Sequence, residues 1–410
     1  MSDVAPAEIA PVEAARRIKT LDVLRGLAIL GILAVNAPFF AAPWQTALNP
    51  MLAPIAVEPG NVWAWFVPHV FFEAKFITLF SLLFGVSLYL VGGERSDEER
   101  GKVLRRRLGW MLLFGFIHGA AIWYGDILLV YAVSGFILML ARSWKPLPLM
   151  IVGVIAYTLI HGLGLLNGVI LGTASPADVD QLRNEMWSPD LDAVIAGFSG
   201  TFMESLRANF AAWTEMIGFE LANAVPRAIS VMMIGLALFK WGFLSGRAPV
   251  WVYLVVAAIG AAALAAVGYQ ARLNYEAEFD FMYMQSRGSL LNPALSIFIT
   301  LLYASLLILC VKTGALRFLT NALAPVGQMA FTNYIAQSLI MTAIFYGGRG
   351  FGLYGEVGRD GLMAIVAGVW ILQLIWSPLW LSRFKMGPLE WVWRRLSYGK
   401  PLAIAQSAAA

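Results

Sequence analysis

The sequence predicts an all-α membrane protein, a polytopic bundle of about ten transmembrane helices with both termini in the cytoplasm. Of the 410 residues, 60% are hydrophobic and 13% are charged, whereas about a quarter of a soluble domain is charged. Apolar runs of about 20 residues, enough to cross the hydrocarbon core, recur along the chain. Lys and Arg gather beside alternate runs, twenty on one predicted side and seven on the other, which predicts cytoplasmic N- and C-termini.

The first predicted span follows basic residues, as a secretory signal does, but nine more spans follow it and it lacks a small-x-small cleavage site. The sixth span has an ambiguous start. Residues 200–221 alternate apolar and charged side chains, so they either lie along the interface or extend this helix through a kink at Pro226. The ten predicted spans are 22–42, 64–90, 106–122, 126–142, 147–171, 222–241, 249–269, 291–311, 326–346 and 361–381.

The predicted transmembrane domain, 21–382, leaves little of the chain outside the membrane. Residues 1–20 are polar or small, and we expect them to be disordered. Residues 383–400 combine Trp with several cations, which is typical of an amphipathic helix on the cytoplasmic lipid surface. The Ala-rich end, 401–410, is predicted to be a disordered tail.

Composition excludes several kinds of site. The single cysteine, Cys310, excludes an intrachain disulfide and a cysteine-rich metal site. A three-histidine zinc site would need all three histidines of the chain, so we expect no metal. The net charge of +4 follows membrane topology, so it does not indicate a nucleic-acid partner.

Charged and strongly polar groups within the apolar runs are the candidate functional residues, because a charge at membrane depth costs a few kcal/mol. In the first span, Asp22 and Arg25 are three residues apart and share a helix face. They either anchor the helix end or, with Arg105, Arg106 and Arg107 at a similar depth, bind the phosphates of a cytoplasmic donor.

The second span carries His69, Glu73 and Lys75. His69 and Glu73 are four apart on one face, and a carboxylate beside an imidazole raises its basicity, as in a general base. Lys75 points elsewhere and needs another partner. The alternative is a buried structural ion network between helices.

The third and fourth spans form a hairpin with His118 before its turn and Asp126 after it. Gly115 and Gly119 form a small-xxx-small face that allows close helix contact. Asp126 is placed to cap the following helix, and the functional alternative is a His118–Asp126 pair that opens to the outer side. His161 is interpreted as a satisfied interior histidine.

The ninth span carries Asn333 and Gln337, four residues apart at mid-membrane. Such amides commonly hold helices together, each for about 1 kcal/mol. They would equally suit the lining of a substrate tunnel.

Several of these stretches resemble the YeiB family (DUF418) of bacterial inner-membrane proteins, whose function is unassigned. The resemblance covers nearly the whole chain in order, and it implies a multi-pass protein of the bacterial inner membrane. The matching stretches are 21–33, 75–85, the hairpin with Gly-Asp-Ile-Leu at 125–128, Gly-Gln-Met-Ala-Phe-Thr-Asn-Tyr-Ile-Ala-Gln-Ser at 327–338, and 387–399.

The first helix is also similar to the opening of transmembrane acyltransferases, including the lysosomal heparan glucosaminide acetyltransferase type. Those enzymes take acyl groups from cytoplasmic acyl-CoA to a sugar hydroxyl or amine on the far side. The resemblance implies an acyl-CoA or acetyl-CoA donor, Asp22 and Arg25 on the donor side, and Asn36 near the acceptor. Many such enzymes carry a histidine near the outer end of this helix. None precedes His69 here, so His69 or His118 would have to serve.

We therefore expect a membrane acyltransferase whose partners are the bilayer, an acyl donor and an unknown acceptor. Its base would be His69 with Glu73, or His118 with Asp126. Asn36 or Asn333 would donate a hydrogen bond to the developing oxyanion. The alternatives are a transporter or flippase, with Glu73, Lys75 and Asp126 as a relay, and a scaffold or sensor without turnover. The oligomeric state stays open, a homo-oligomer included.

Overall fold

A computed structural model describes residues 18–187 and 191–405 of the chain. This part of the chain is helical apart from short connections and one isolated β-bridge between Phe384 and Ala405. Its α-helices are α1 (Lys19–Ala41), α2 (Gln45–Leu48), α3 (Trp63–Val67), α4 (Lys75–Gly92), α5 (Glu98–Ile117), α6 (Leu128–Leu138), α7 (Pro146–Leu171), α8 (Pro176–Trp187), α9 (Leu191–Ser199), α10 (Phe202–Lys240), α11 (Val250–Glu276), α12 (Phe281–Tyr283), α13 (Leu291–Thr313), α14 (Arg317–Gln328), α15 (Ala330–Phe345), α16 (Arg359–Leu381) and α17 (Pro388–Tyr398).

The ends of the chain are only partly described. Disorder was predicted at 1–20 and 401–410, and residues 1–17 and 406–410 of these stretches lie outside the described residues. Lys19 and Thr20 belong to α1. Residues 401–405 fold back, since the Lys385 amide donates to the Ile404 carbonyl at 2.8 Å.

Within the described residues, seven segments are long and apolar enough to cross a membrane: α1, Trp63–Gly92, α7, α10, α11, α13 and α16. The chain is therefore a multi-pass membrane protein. The other three predicted spans correspond to α5, which begins in a charged stretch, and to the shorter α6 and α15. The count of ten spans stays a prediction.

The first helix is the centre of the bundle. In its most apolar window 67% of the residues are buried, against 17% in α7 and 22% in α11. A helix that is apolar on all sides and packed on all sides forms a core, whereas α7 and α11 turn most of their side chains outward. Glycines bring α14 against α1, because a Cβ on Gly327 would stand 1.9 Å from the Asp22 carbonyl oxygen.

The ambiguous stretch before the sixth span belongs to α10, which runs unbroken for 39 residues through Pro226. Its start is a capping box, in which the Thr201 hydroxyl accepts from the Glu204 amide while Glu204 accepts from the Thr201 amide. At 1.5 Å per residue the helix is about 58 Å long, so it exceeds the roughly 30 Å hydrocarbon core.

Three predicted spans contain interruptions. A π-helical turn at Pro68–Phe72 and the left-handed Ala74 (φ 64°) precede α4. Another π-helical turn, His118–Ile122, ends α5. The helix is interrupted at Met329, between α14 and α15, where one continuous span was predicted. Irregular backbone at membrane depth occurs where it is buried in protein or lines a cavity, and π-turns are frequent at functional sites.

Candidate functional site

Three buried polar side chains form a chain of hydrogen bonds at the end of α5. The His118 Nδ1 lies 2.8 Å from the Asp126 Oδ1, and its Nε2 lies 2.8 Å from the Ser338 Oγ. Each of the three residues is 1% exposed. A serine, a histidine and a carboxylate in this order are the arrangement of nucleophile, base and orienting group in many hydrolases and acyltransferases.

The local sequence explains how His118 and Asp126 meet. The π-helical turn widens the last turn of α5 at His118, and the chain then reverses through Gly125 into α6. The second Asp126 oxygen accepts from the Leu129 amide at 2.8 Å, so Asp126 also caps α6. Gly115 makes the close approach possible, since a Cβ there would stand 2.5 Å from the Leu129 nitrogen. Asp126 therefore both caps α6 and contacts His118. The pair is buried, and its opening to the outer side stays a prediction.

Ser338 was missed by the sequence prediction. It lies on α15, 220 residues from His118 along the chain. Serines are common in membrane helices, so a single serine does not stand out in the sequence. The only local signal for Ser338 is that it belongs to the polar stretch 327–338. One turn earlier, the Tyr334 ring lies 5.1 Å from the His118 ring, and its hydroxyl accepts from the Ile127 amide at 3.4 Å.

A cavity of about 700 Å³ leads from the N-terminal end of α1 toward this group. It lies among α1, α4, α5, α14, α15 and α17 and the start of α6. Its polar end holds charged and hydroxyl side chains, and its apolar end finishes at Ile127 and Tyr334. The polar lining residues are Asp22, Arg25, Ser87, Arg100, Arg107, Gln328, Glu390, Arg394 and Tyr398, and the apolar ones include Ile29, Ile32, Phe80, Phe84, Leu104, Leu108, Met111, Leu128 and Phe331.

The arginines at the polar end are held in place by the protein. Arg25 donates to Asp22 Oδ1 and to Ser87 Oγ, each at 3.1 Å. The Arg107 guanidinium lies 3.7 Å from the centre of the Trp393 ring, and the Trp393 indole donates to the Arg107 carbonyl at 2.9 Å. The amphipathic helix predicted at 383–400 therefore docks, as α17, against the bundle beside this end.

The three arginines of the predicted cluster 105–107 lie on different faces of α5. Arg107 lines the cavity, whereas Arg105 and Arg106 are exposed and do not line it. Residues 100, 104, 107, 108 and 111 share one helical face, while 105 and 106 lie on other faces. Arg100, which was not predicted, occupies the cavity face two turns earlier.

A second polar pair lies in a different part of the bundle. The His69 Nδ1 lies 2.6 Å from Glu73 Oε2, with the Glu73 side chain 48% exposed. Lys75 is fully buried, and its ammonium donates to the His69 carbonyl at 3.0 Å and to the Asn292 amide oxygen. His69 packs on Trp65, away from the aromatic residues around His118. The four predicted catalytic residues therefore form two sites, not one shared recess.

The remaining predicted residues lie outside the cavity. The Asn333 amide donates to the Val326 carbonyl and to Ser377, and the Gln337 amide donates to the Ile29 carbonyl and to Gln373. These bonds tie α15 to its neighbours. Asn36 is half-buried in the second half of α1 and does not line the cavity.

An aromatic cluster lies near the C-terminal end of α1, where the Tyr124 hydroxyl donates to the Phe39 carbonyl. The Trp123 ring lies 6.2 Å from the His118 ring. Burial raises the pKa of the Tyr354 phenol well above its usual range, so this group stays a neutral donor. Buried polar atoms without a hydrogen-bond partner among the described residues gather here: Trp123 Nε1, Asn209 Oδ1, Trp213 Nε1, the Tyr346 and Tyr354 hydroxyls, and Arg349 Nε and Nη2.

No group of three or more His, Cys, Asp or Glu within 18–187 and 191–405 is arranged to hold a metal ion. The absence of a metal cofactor stays a prediction.

Comparisons with known proteins agree on a family. The family described as a protein of unknown function, DUF418, matches residues 238–400. The chain is 34% identical to the uncharacterized protein YeiB of Escherichia coli (strain K12), over 92% of this chain and 95% of YeiB. It is 31% identical to the uncharacterized protein YxaH of Bacillus subtilis (strain 168), over 93% and 94% of the two chains. No solved structure matches at a significant level. The chain belongs to the YeiB-like DUF418 family.

Proposed function

We propose that the protein is an integral-membrane acyltransferase, which moves an acyl group from a cytoplasmic acyl-CoA-type donor to a hydroxyl or amine at the outer side. One observation carries the proposal. The same cavity has a cationic end suited to phosphates and an apolar end that finishes beside His118. Its volume, about 700 Å³, lies within the usual range of ligand pockets.

The donor would enter from the end where α1 begins. Arg25, Arg100 and Arg107 line that end. A guanidinium group can donate two parallel hydrogen bonds to the oxygens of one phosphate. Across the ten predicted spans, the distribution of Lys and Arg favours a cytoplasmic location for this end. Acyl-CoA is made in the cytoplasm of a bacterium. The acyl chain would follow the apolar residues inward.

His118 is the base in this proposal. With its proton on Nδ1 and held by Asp126, Nε2 is the acceptor. Asn333 is not the oxyanion donor, because it uses its side-chain amide group on Val326 and Ser377. The Trp123 indole N–H is buried, lacks a partner among the described residues and lies beside His118, so we assign it that role.

The acceptor would approach from the aromatic cluster at the other end of α1. Indole, phenol and guanidinium groups all donate hydrogen bonds. They suit an acceptor rich in oxygen atoms, such as a sugar or a polar lipid headgroup. An unpaired buried donor costs about 1–3 kcal/mol, and such an acceptor would recover that cost.

Donor binding tests the proposal. Loss of one charge-assisted hydrogen bond costs about 1.5–3 kcal/mol, so Arg25→Gln or Arg107→Gln should each raise the Kd for acetyl-CoA by about tenfold or more. Arg105→Gln and Arg106→Gln remove the same charge outside the cavity and should leave the Kd within about twofold. Calorimetry on protein in lipid nanodiscs measures all four variants. No binding by the wild type, or equal losses in all four, would refute the proposal.

A transporter or flippase is the second candidate, favoured by a polar cluster across α4, α10 and α13. Arg227 donates to Thr78 and Ser296 there, and the buried Lys75 lies on the same helix as Thr78. Proteoliposomes loaded with labelled acyl-CoA distinguish the two functions. Movement of intact donor across the bilayer, sensitive to Lys75→Gln but not to His118→Gln, would favour transport.

A further inference from the structure

We propose that Ser338 is the nucleophile of this protein and carries the acyl group as an ester between donor and acceptor. The inference rests on the proposed acyltransferase function and deepens it, since direct transfer from donor to acceptor would need no such serine. It predicts a double-displacement reaction with a covalent acyl-enzyme.

The hydroxyl of Ser338 lies closer to the imidazole than to the carbonyl of its own helix. Serines in helices usually donate to the carbonyl four residues earlier. Ser87 and Ser134 do so, at 2.9 and 2.7 Å. For Ser338 that distance, to the Tyr334 carbonyl, is 3.4 Å, while the His118 Nε2 lies at 2.8 Å. With the His118 proton on Nδ1, this contact is the hydrogen bond that an activated serine makes to its base.

The other two members of the group are oriented for that role. The Asp126 carboxylate is fixed by its capping bond to the Leu129 amide, and its free oxygen meets the His118 Nδ1. All three side chains are almost fully buried. In such a site the electrostatic contact between carboxylate and imidazole is stronger than in water, so the imidazolium formed during transfer is stabilised.

The cavity reaches the neighbourhood of Ser338. Tyr334 lines its apolar end, and Ser338 lies one turn further along α15, about 6 Å away along the helix axis. Ile127, next to Asp126 in the chain, lines the same end. A thioester carbonyl at this end would therefore approach the serine from the donor side.

The chemistry balances with the groups present and the two substrates. The Ser338 oxygen forms a bond to the acyl carbon while His118 takes the hydroxyl proton, and the carbon–sulfur bond breaks. His118 then protonates the departing thiolate. In the second half, His118 takes a proton from the acceptor hydroxyl or amine, which attacks the ester carbonyl. The bond between the acyl carbon and the Ser338 oxygen then breaks, and His118 returns the proton to that oxygen.

The test is acylation without an acceptor. Protein in nanodiscs is incubated with radiolabelled acetyl-CoA or palmitoyl-CoA, quenched in acid and analysed by intact mass and peptide mapping. We expect one acyl group on Ser338 in the wild type and none in Ser338→Ala or His118→Ala. Ser134→Ala, which removes another fully buried serine, should be labelled like the wild type.

Ser338→Cys separates a chemical role from a structural one. A cysteine nucleophile should take the label as a thioester that neutral hydroxylamine removes, whereas the wild-type ester resists this treatment. Two results overturn the inference: retained labelling of Ser338→Ala, or an unlabelled wild type that binds acyl-CoA and still transfers its acyl group. A wild type that binds no acyl-CoA overturns the acyltransferase proposal itself, and the serine role with it.

Discussion

The His69–Glu73 and His118–Asp126 pairs share their chemistry but differ in their surroundings. Each histidine belongs to a π-helical turn, and each has a carboxylate within 2.8 Å of Nδ1. Glu73 is half exposed, whereas Asp126 is fully buried. Only His118 also has a serine on its second nitrogen among the described residues, and only its neighbours line the cavity. A histidine–carboxylate contact is therefore not enough to mark a reactive site; burial, a third partner and access decide.

Removal of the two histidines should separate the sites most strongly. We expect His118→Ala to lower the rate of acyl transfer by about 10⁴-fold, and His69→Ala by less than about twofold. The measurement is release of CoA thiol from acyl-CoA by protein in nanodiscs, with a cell-envelope extract as acceptor. Acetyl-CoA affinity, measured in parallel, should be unchanged in both variants. Equal losses would remove the distinction between the pairs.

The two carboxylates give the next largest contrast. Asp126→Asn keeps a capping oxygen for α6 but loses the charge that orients and stabilises the imidazolium, so the turnover rate should fall by about 10³-fold. Glu73→Gln should change it by less than about twofold, because an exposed carboxylate interacts weakly. Thermal unfolding of both variants serves as the control. A loss of turnover that only follows a loss of folded protein would assign Asp126 to structure alone.

Each histidine also has a neighbouring tryptophan, and this pair gives the smallest contrast. Trp123→Phe keeps the stacking on Phe40 but removes the unpaired N–H beside His118, so the turnover rate should fall by about 10²-fold. Trp65→Phe, next to His69, should have less than about a twofold effect. The thiol-release assay is used again, with acetyl-CoA affinity as the control. Full activity of Trp123→Phe would leave the oxyanion to another donor.

Local spacing predicted part of the site correctly. Asp22 and Arg25, three apart, form the predicted ion pair, and His69 and Glu73, four apart, are in contact. These contacts depend only on helical geometry. The same geometry, applied to α5, would have selected Arg100 with Arg107 and separated Arg105 and Arg106. The three consecutive arginines were treated as one cluster. Consecutive residues lie on different faces of a helix, so only one of the three faces the cavity.

Contacts between residues far apart in the chain could not be predicted from the sequence. The Ser338–His118 bond joins residues 220 positions apart, and Glu390 accepts from the Phe331 and Thr332 amides 59 and 58 positions earlier. The second contact caps the start of α15 and brings α17 to the cavity. A single serine or glutamate carries no sign of such a partner, since its own helix offers it other bonds.

The amino-acid sequence alone determined that this chain crosses a membrane many times as helices, because an apolar run of about 20 residues in lipid satisfies its backbone hydrogen bonds within a helix. It also determined which polar groups lie in the apolar runs. Only the tertiary structure decided which of them meet across different helices. Helix packing in lipid depends on close contacts of small residues. Gly115 lets α5 approach the start of α6 near His118 and Asp126, and Gly327 lets α14 approach α1. Such contacts between helices, not hydrophobic pattern, decide which polar groups become neighbours.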